Sequence, residues 1–443
     1  MSDLPPTADT SSTDPSTTEA RRSRICCADL DTFFVSVERL LDPSLVGKPV
    51  VVGARPGKRG VVTAASYEVR ARGVRSGMAI SEAVRLAPDA VFLPTRHGVY
   101  TPYARRVREV LERYTPIVRT ASIDEFFLDF RGCESLYRRP GDVDDDATIE
   151  RVVREMRERV QIEIGLPMSV GIGVSRTLGK IASGAAKPAG VRMIRPGEET
   201  AFLRPLPVRK FPGIGPVTER RLLAARVETL GQLVDLPPGP VRARFGPLLD
   251  AVRRQMEGAA SAGLAASRPA FLEHDPDGVT VGSISNERTF REDVRDSGSV
   301  EKQLAALVER VCWRARKRDI RARTIGLKLR YADFDTRMRS RTIAPTNAEA
   351  DVLDCVLSLY RSARTRNLPI RLVGVQLSNL VGPDRQLCLP FEPAERPQLG
   401  RALDVVRSRY GYDAIHTAHA NRRTSWLEPE AHVNDGSRRA RSR

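Results

Sequence analysis

An α+β fold of several domains is predicted by this sequence, on three observations. Strand-length apolar runs alternate with stretches in which apolar residues return every three to four positions. Residues 258–278, dominated by Gly, Ala, Ser, Pro and Asp, separate an N-terminal half from a basic C-terminal domain of the same mixed character. Two of the apolar runs carry acids, for which a core strand has no ordinary use. The run Ile25-Cys26-Cys27-Ala28-Asp29-Leu30-Asp31 holds Asp29, and the run Ala121-Ser122-Ile123-Asp124-Glu125-Phe126-Phe127-Leu128 holds Asp124 and Glu125.

Taken in order, residues 1–22 are Ser, Thr, Pro and Asp with little that is apolar, and read as a disordered tail. Val50-Val51-Val52 and Val61-Val62-Thr63 are short strands joined by a turn with Gly and Arg. Ile149, Val152, Val153, Met156 and Val160 trace an amphipathic helix, and Met168 to Val174 is a strand. In the basic domain Leu304, Leu307, Val308, Val311 and Ala315 form a helical stripe. Ile325, Leu327, Leu329 and Tyr331 alternate with Gly326, Lys328 and Arg330, a strand that buries one face and turns two cations outward. Such a face suits a phosphate backbone, where contacts supply affinity without reading sequence. Residues 384–443 are a C-terminal tail that includes a helix-like segment, Ala402 to Ala414.

Composition narrows the class. A chain of 443 residues has room for three or four domains at about 100–200 residues each. No apolar run approaches the roughly 20 residues that span a bilayer, and no charged-then-apolar leader opens the chain, so a cytoplasmic protein is expected. Six cysteines without a CxxC pair read as reduced, buried thiols. His416 and His419 are the one close histidine pair and do not make a zinc site. The net charge of +17 favours a polyanion, nucleic acid ahead of an acidic membrane surface. Residues 301–345 alone hold 13 Lys and Arg against 5 Asp and Glu, so the excess is concentrated in the basic domain.

Two adjacent acids and a distant third are a common way to hold two divalent ions about 3.5–4 Å apart for phosphoryl transfer. The competing reading is strand-end acids facing solvent or paired with Arg. Phe211-Pro212-Gly213-Ile214-Gly215-Pro216-Val217-Thr218 is a hairpin between helices, either a tight turn or a site where open backbone N–H groups meet a phosphate. Tyr67 and Arg70 share a face if a helix starts near Ser66, and could clamp an anion or lie idle on the surface. Lys187 is a lone cation before Pro188, and Phe33 and Phe34 after Asp31 suit core packing. Gln386, Leu389 and Phe391 stand in an extended stretch, either an anchor peptide for an apolar pocket or a docked linker strand.

Together these residues resemble the Y-family translesion DNA polymerases, and most of all their bacterial DinB group, from about Arg24 to about Leu380. The marks are Ala28-Asp29-Leu30-Asp31-Thr32-Phe33-Phe34 with Val37-Glu38, Tyr67-Glu68-Val69-Arg70, Ser122-Ile123-Asp124-Glu125, and Lys180-Ile181-Ala182-Ser183 with Lys187-Pro188. Pro212-Gly213-Ile214-Gly215, Arg288-Thr289-Phe290 and Arg371-Leu372-Val373-Gly374-Val375 complete the set. The resemblance implies a right-hand polymerase: palm at 23–34 and 98–190, small fingers at 35–97, and a helical thumb with the helix-hairpin-helix at 191–260. A linker at 261–278 would precede an α/β little finger at 279–383. It implies that Asp29, Asp124, Glu125 and the backbone carbonyl of Leu30 hold two Mg²⁺ ions, and that Tyr67, Arg70 and Lys187 clamp a nucleoside triphosphate. Phe34 would be the steric gate against a 2′-hydroxyl. Primer-template DNA would be held in part by Gly213, Gly215, Lys328 and Arg330, and the sliding clamp by Gln386, Leu389 and Phe391. The chain would act as a monomer.

Two departures stand out. The family often has Thr directly before an Ala-Asn-Tyr; here that position is Ala64, with Thr63 one earlier and Ser66 for Asn. In the clamp peptide Pro390 separates Leu389 from Phe391, where the commoner form has them adjacent. Two other functions compete. An inactive, polymerase-shaped accessory protein would lack the acids, and a palm-type nucleotide cyclase would not need the Pro-Gly-Ile-Gly hairpin or the basic final domain.

Overall fold

The computed structural model describes residues 23–259, 282–382 and 397–417. The described residues form two compact units, 23–259 and 282–417.

In the first unit β1 (Ile25–Leu30) runs into α1 (Phe33–Leu41). A small α/β insert follows: β2 (Val50–Gly53), β3 (Val62–Ala65), α2 (Tyr67–Ala71), α3 (Ile80–Leu86) and β4 (Val91–Pro94), its strands ordered β3-β2-β4. The chain returns through α4 (His97–Leu111), β5 (Val118–Thr120), β6 (Glu125–Asp129), α5 (Glu134–Tyr137), α6 (Asp145–Ile164), β7 (Met168–Gly173), α7 (Arg176–Ala186) and β8 (Val191–Met193). The result is a five-stranded sheet ordered β5-β6-β1-β7-β8. The first strand in sequence is therefore central in space. Burial on both faces explains why Ile25-Cys26-Cys27-Ala28 is apolar throughout rather than alternating.

Helix α6 turns its stripe of Ile149, Val152, Val153, Met156 and Val160 into this core. The Asp144 side chain caps it by accepting the Ala147 N–H at 2.6 Å, and Gly165 ends it at φ +80°. Helix α7 lies flush on β7. A Cβ at Gly171 would stand 2.0 Å from Ser183 N and 2.1 Å from Gly179 O, so only glycine allows that approach. The close approach fixes where the lysines of and beyond this helix end up. Helices α8 (Glu199–Leu203), α9 (Pro216–Ala224), α10 (Leu230–Val234) and α11 (Pro240–Met256) close the unit around Leu203, Phe211, Ile214, Leu222 and Phe245.

The second unit contains β9 (Ser283–Val294), α12 (Ser297–Arg316), β10 (Arg321–Tyr331), β11 (Thr336–Thr346), α13 (Glu349–Ala363), β12 (Ile370–Val381) and α14 (Pro397–Tyr410). Its antiparallel sheet is ordered β11-β10-β12-β9. Ile325, Leu327, Leu329 and Tyr331 are buried in one core with the stripe of α12, as their alternation predicts.

Several boundaries differ from the sequence reading. The acid-bearing run after Ala121 is not one strand, because β6 starts only at Glu125. Ala121 and Ser122 both donate their N–H to Glu125 O, at 2.9 and 3.2 Å, closing a tight hairpin. Ser122 Oγ accepts the Asp124 N–H at 3.3 Å, a local bond that competes with the strand ladder. The strand expected at 61–63 is Val62–Ala65. The helix expected at 402–414 is Pro397–Tyr410, ended by Gly411 at φ +93°. Gln386, Leu389, Phe391, Cys388, His419, residues 1–22 and residues 418–443 lie outside the described residues, whereas 397–417 of the expected C-terminal tail are described. Among the described residues no helix is long and apolar enough to cross a membrane, and Cys26, Cys27, Cys133, Cys312 and Cys355 are free thiols.

Candidate active site

Antiparallel pairing of β1 with β6 sets Asp29 opposite Glu125, and the Leu30 N–H donates to Asp124 O at 2.9 Å. Acids far apart in sequence thus meet at one end of the sheet. Each is turned to its own donor. Lys180, from α7, pairs with Glu125 Oε2, and the Cys27 thiol lies 3.5 Å from Glu125 Oε1. Lys187 Nζ lies 2.5 Å from Asp29 Oδ1, and Ser122 donates to Asp124 Oδ1. Burial pushes the Asp29 carboxyl above its ordinary range, the Lys187 ammonium pulls it down, and the neighbouring Asp124 and Glu125 raise it further.

With these partners, no three Asp, Glu, His or Cys side chains among the described residues form a closed metal cluster. The donor set still fits Mg²⁺. Three carboxylates and a backbone carbonyl are hard oxygen ligands, and Asp29 and Glu125 each already hold an ammonium at close range.

Phe34 stands one turn of chain beyond these acids, 8% exposed. Its ring stacks on Tyr100 with centroids 4.1 Å apart and planes at 18°, and meets His97 edge-on at 5.7 Å. Tyr100 is itself fixed, its hydroxyl donating to buried Glu38 at 2.6 Å, and Arg96 pairs with the same carboxylate. The aromatic pair is core packing.

Ser66 precedes α2, so Tyr67 and Arg70 do fall on one face, with the Arg70 guanidinium 5.4 Å from the Tyr67 ring centre. The Tyr67 hydroxyl donates to Asp31 Oδ1 at 3.1 Å, and Lys187 Nζ lies 3.7 Å from the same oxygen. Tyr67, Arg70 and Lys187 are thereby gathered beside the acids. Ala64 is not compensated: Thr63 bonds Thr95 at 2.7 Å, and Ser66 Oγ accepts the Val50 N–H at 3.1 Å. Strand alternation turns Thr63 to the face opposite Ala64, so its hydroxyl cannot stand in.

In the hairpin, Gly213 has φ +96°, a left-handed conformation that side chains disfavour. A Cβ at Gly213 or Gly215 would meet nothing within 4 Å, so the backbone leading into α9 is open to an approaching anion. In the second unit the outward sheet face is a shallow groove of about 330 Å³ lined by Ser285, Thr324, Gly326, Ser340, Gly374 and Gln376. Lys328 lies on that face but is neutralised by Glu287 at 2.8 Å, and Arg330 donates to Thr336 at 2.8 Å. The expectation of two projecting cations is corrected in this respect. Arg339 and Arg341 of the edge strand β11 are exposed, and Arg337 beside them is half-buried. Sequence reading passed over these three, although the Arg-x-Arg-x-Arg spacing was available. It also left Asp31, Tyr100 and Lys180 without roles, since only the fold shows what they touch.

Comparison with known proteins agrees with this geometry. Residues 28–184 match the impB/mucB/samB family, 196–226 the IMS family HHH motif, and 281–389 the impB/mucB/samB family C-terminal domain. A DNA polymerase IV of Dehalococcoides mccartyi (strain CBDB1) is 34% identical over 401 residues, covering 90% of this chain and 98% of the relative. A DNA polymerase IV of Moorella thermoacetica is 34% identical over 399 residues, covering 89% and 95%. Among solved structures, a Y-family DNA polymerase chimera superposes with a TM-score of 0.67 at 23% identity, over 81% of this chain and 99% of the other. An insertion ternary complex of Dbh DNA polymerase gives 0.56 at 23% identity with the same coverage. The fold is that of a right-hand polymerase with palm, fingers, thumb and little finger. The chain belongs to the impB/mucB/samB family, with the DNA polymerase IV group of Y-family DNA polymerases.

Proposed function

We propose that this chain is a template-directed DNA polymerase of low processivity and low fidelity that extends primer 3′ ends across damaged template. The observation that carries the reading is the meeting of Asp29, Asp124 and Glu125 at one sheet end, with Lys187, Tyr67 and Arg70 alongside. An accessory protein that only bound DNA would have no use for three acids held against the cost of burying Asp29.

Two Mg²⁺ ions on Asp29, Asp124, Glu125 and the Leu30 carbonyl would activate the primer hydroxyl and stabilise the departing pyrophosphate. Lys187 and Arg70 supply cations to the triphosphate, and Tyr67 a hydroxyl. Phe34, backed by Tyr100, is the ring that would meet a 2′-hydroxyl. Gly213 and Gly215 let a DNA phosphate reach the backbone at α9. The little finger holds DNA through its small polar groove, which Lys328 and Arg339 line. Gln386, Leu389 and Phe391 engage the sliding clamp. The protein works as a monomer in the cytoplasm on primer-template DNA and deoxynucleoside triphosphates.

Primer extension with Mg²⁺ tests the reading. The wild-type chain is expected to extend, and Glu125→Ala to lose about a thousandfold, about 4 kcal/mol of barrier. A wild-type protein that extends nothing, indistinguishable from Glu125→Ala, would establish the accessory function instead.

A further inference from the structure

We infer that Asp31 is a positioning residue for nucleotide binding: one buried carboxylate that fixes Tyr67 of the fingers and the Lys187–Ala189 loop of the palm in register. The inference rests on the reading of Tyr67, Arg70 and Lys187 as the triphosphate clamp.

Asp31 is 1% exposed. A carboxylate buried this fully is costly unless its lone pairs are satisfied, and here Oδ2 accepts two hydrogen bonds and Oδ1 one, with an ammonium close by. Oδ2 accepts the Ser169 hydroxyl at 2.7 Å and the Ala189 N–H at 2.7 Å. Oδ1 accepts the Tyr67 hydroxyl at 3.1 Å and faces Lys187 Nζ at 3.7 Å. The main chain of Asp31 is equally engaged, its N–H donating to Pro167 O at 2.9 Å and its carbonyl accepting the Ser36 hydroxyl at 2.7 Å. The carboxylate cannot move without breaking several of these bonds.

What it holds is distinctive. Tyr67 lies on α2 in the three-stranded insert, whereas Lys187 and Ala189 lie beyond α7 on the five-stranded sheet. Ala189 has φ +47°, a left-handed conformation that non-glycine residues disfavour. Its N–H is taken by Asp31 and its carbonyl by Arg157. Thr32, directly after Asp31, is also left-handed at φ +45°, which is rarer still for a β-branched residue. Backbone held in disfavoured conformations on both sides of one carboxylate marks a position that the surroundings over-determine. A residue needed only to end β1 would require none of this. Without Asp31, Lys187 would keep Asp29 as its remaining anion and the Tyr67 hydroxyl would lose the carboxylate it donates to. Both clamp groups would still be present, and their geometry would not be.

The test is steady-state single-nucleotide insertion with Asp31→Asn. The amide keeps the shape but places an NH₂ where Ser169 and Ala189, or Tyr67 and Lys187, now donate. We expect KM for the deoxynucleoside triphosphate to rise about tenfold, equivalent to about 1.4 kcal/mol, with kcat within about threefold of wild type. Ser169→Ala removes one bond to the carboxylate without touching the clamp, and should raise KM by about threefold. Adding Tyr67→Phe to Asp31→Asn should cost less than about twofold more, because both changes disrupt one contact. If Asp31→Asn does not fold, Ser169→Ala and Tyr67→Phe decide the matter by the same KM and kcat readings.

Suppose Tyr67→Phe and Lys187→Ala raise KM while Asp31→Asn and Ser169→Ala leave it within twofold, or lower only the melting temperature. Asp31 is then merely structural, and the clamp reading survives. Unchanged KM in all four variants would remove the clamp reading and the role of Asp31 with it.

Discussion

Replacing Phe34 by Ala separates the two tasks of one ring. Phe34 is 8% exposed and lies flat on Tyr100 at 4.1 Å, so its loss removes buried area and a stacking pair together. Truncation of a buried Phe costs about 3–5 kcal/mol, of which stacking accounts for about 0.5–1.5. Because Phe34 keeps 8% of its surface exposed, its burial is incomplete, and the cost should fall near the lower limit, about 3 kcal/mol. For a unit of this size that is a fall in melting temperature of about 6–12 °C. The effect on substrate choice has a different origin. Tyr100 is tied to Glu38 and Arg96, so the Phe34 ring has nowhere to retreat when a 2′-hydroxyl arrives. With Ala at this position, the ratio of kcat/KM for deoxynucleotide over ribonucleotide should collapse at least about a hundredfold, equivalent to about 2.7 kcal/mol. The assay is single-nucleotide insertion of dCTP and CTP opposite G, at a temperature where the variant stays folded. A variant that melts lower yet keeps the wild-type ratio would show that Phe34 packs the core and gates nothing.

Three further outcomes are expected. Burial, then the neighbouring acids, hold the Asp29 carboxyl above the ordinary aspartate value of about 3.9. The folded-state pKa is therefore the higher one, so the stabilising contribution is present below about pH 3.9 and lost as pH rises through the folded value. Asp29→Asn should accordingly melt above wild type at pH 7, the gap closing toward pH 4, while primer extension is lost; a lower melting point at pH 7 would contradict this. Arg337, Arg339 and Arg341 changed together to Ala should weaken primer-template binding and flatten the slope of log K against log salt by about 2–3, measured by fluorescence anisotropy. An unchanged slope would place the DNA elsewhere. Deleting residues 386–391 should abolish stimulation by the sliding clamp and spare basal extension, whereas loss of both would make the segment structural.

The local periodicities were sufficient for the elements that pack by a repeating stripe. Ile149 to Val160 and Ile325 to Tyr331 announce their partners by spacing alone, because a helix or strand with one apolar face has few ways to bury it. Spacing did not reveal that Ser122-Ile123-Asp124 bends out of the strand. A serine and an aspartate bonding to nearby backbone look the same in sequence as residues within a ladder. Nor did spacing show that Lys328 is held by Glu287, a partner two strands away.

By itself the sequence determined the identities of the acids, the hairpin glycines and the basic character of the last domain, since these are properties of residue type and short-range order. Only tertiary structure decided that β1 lies between β6 and β7, which brings Asp29 level with Glu125 and leaves Asp31 surrounded by Tyr67, Ser169, Lys187 and Ala189. Three hydrogen-bond donors and an ammonium converge on one carboxylate from three separate segments. No window of sequence contains them, and a buried charge is tolerated only where all of them arrive together.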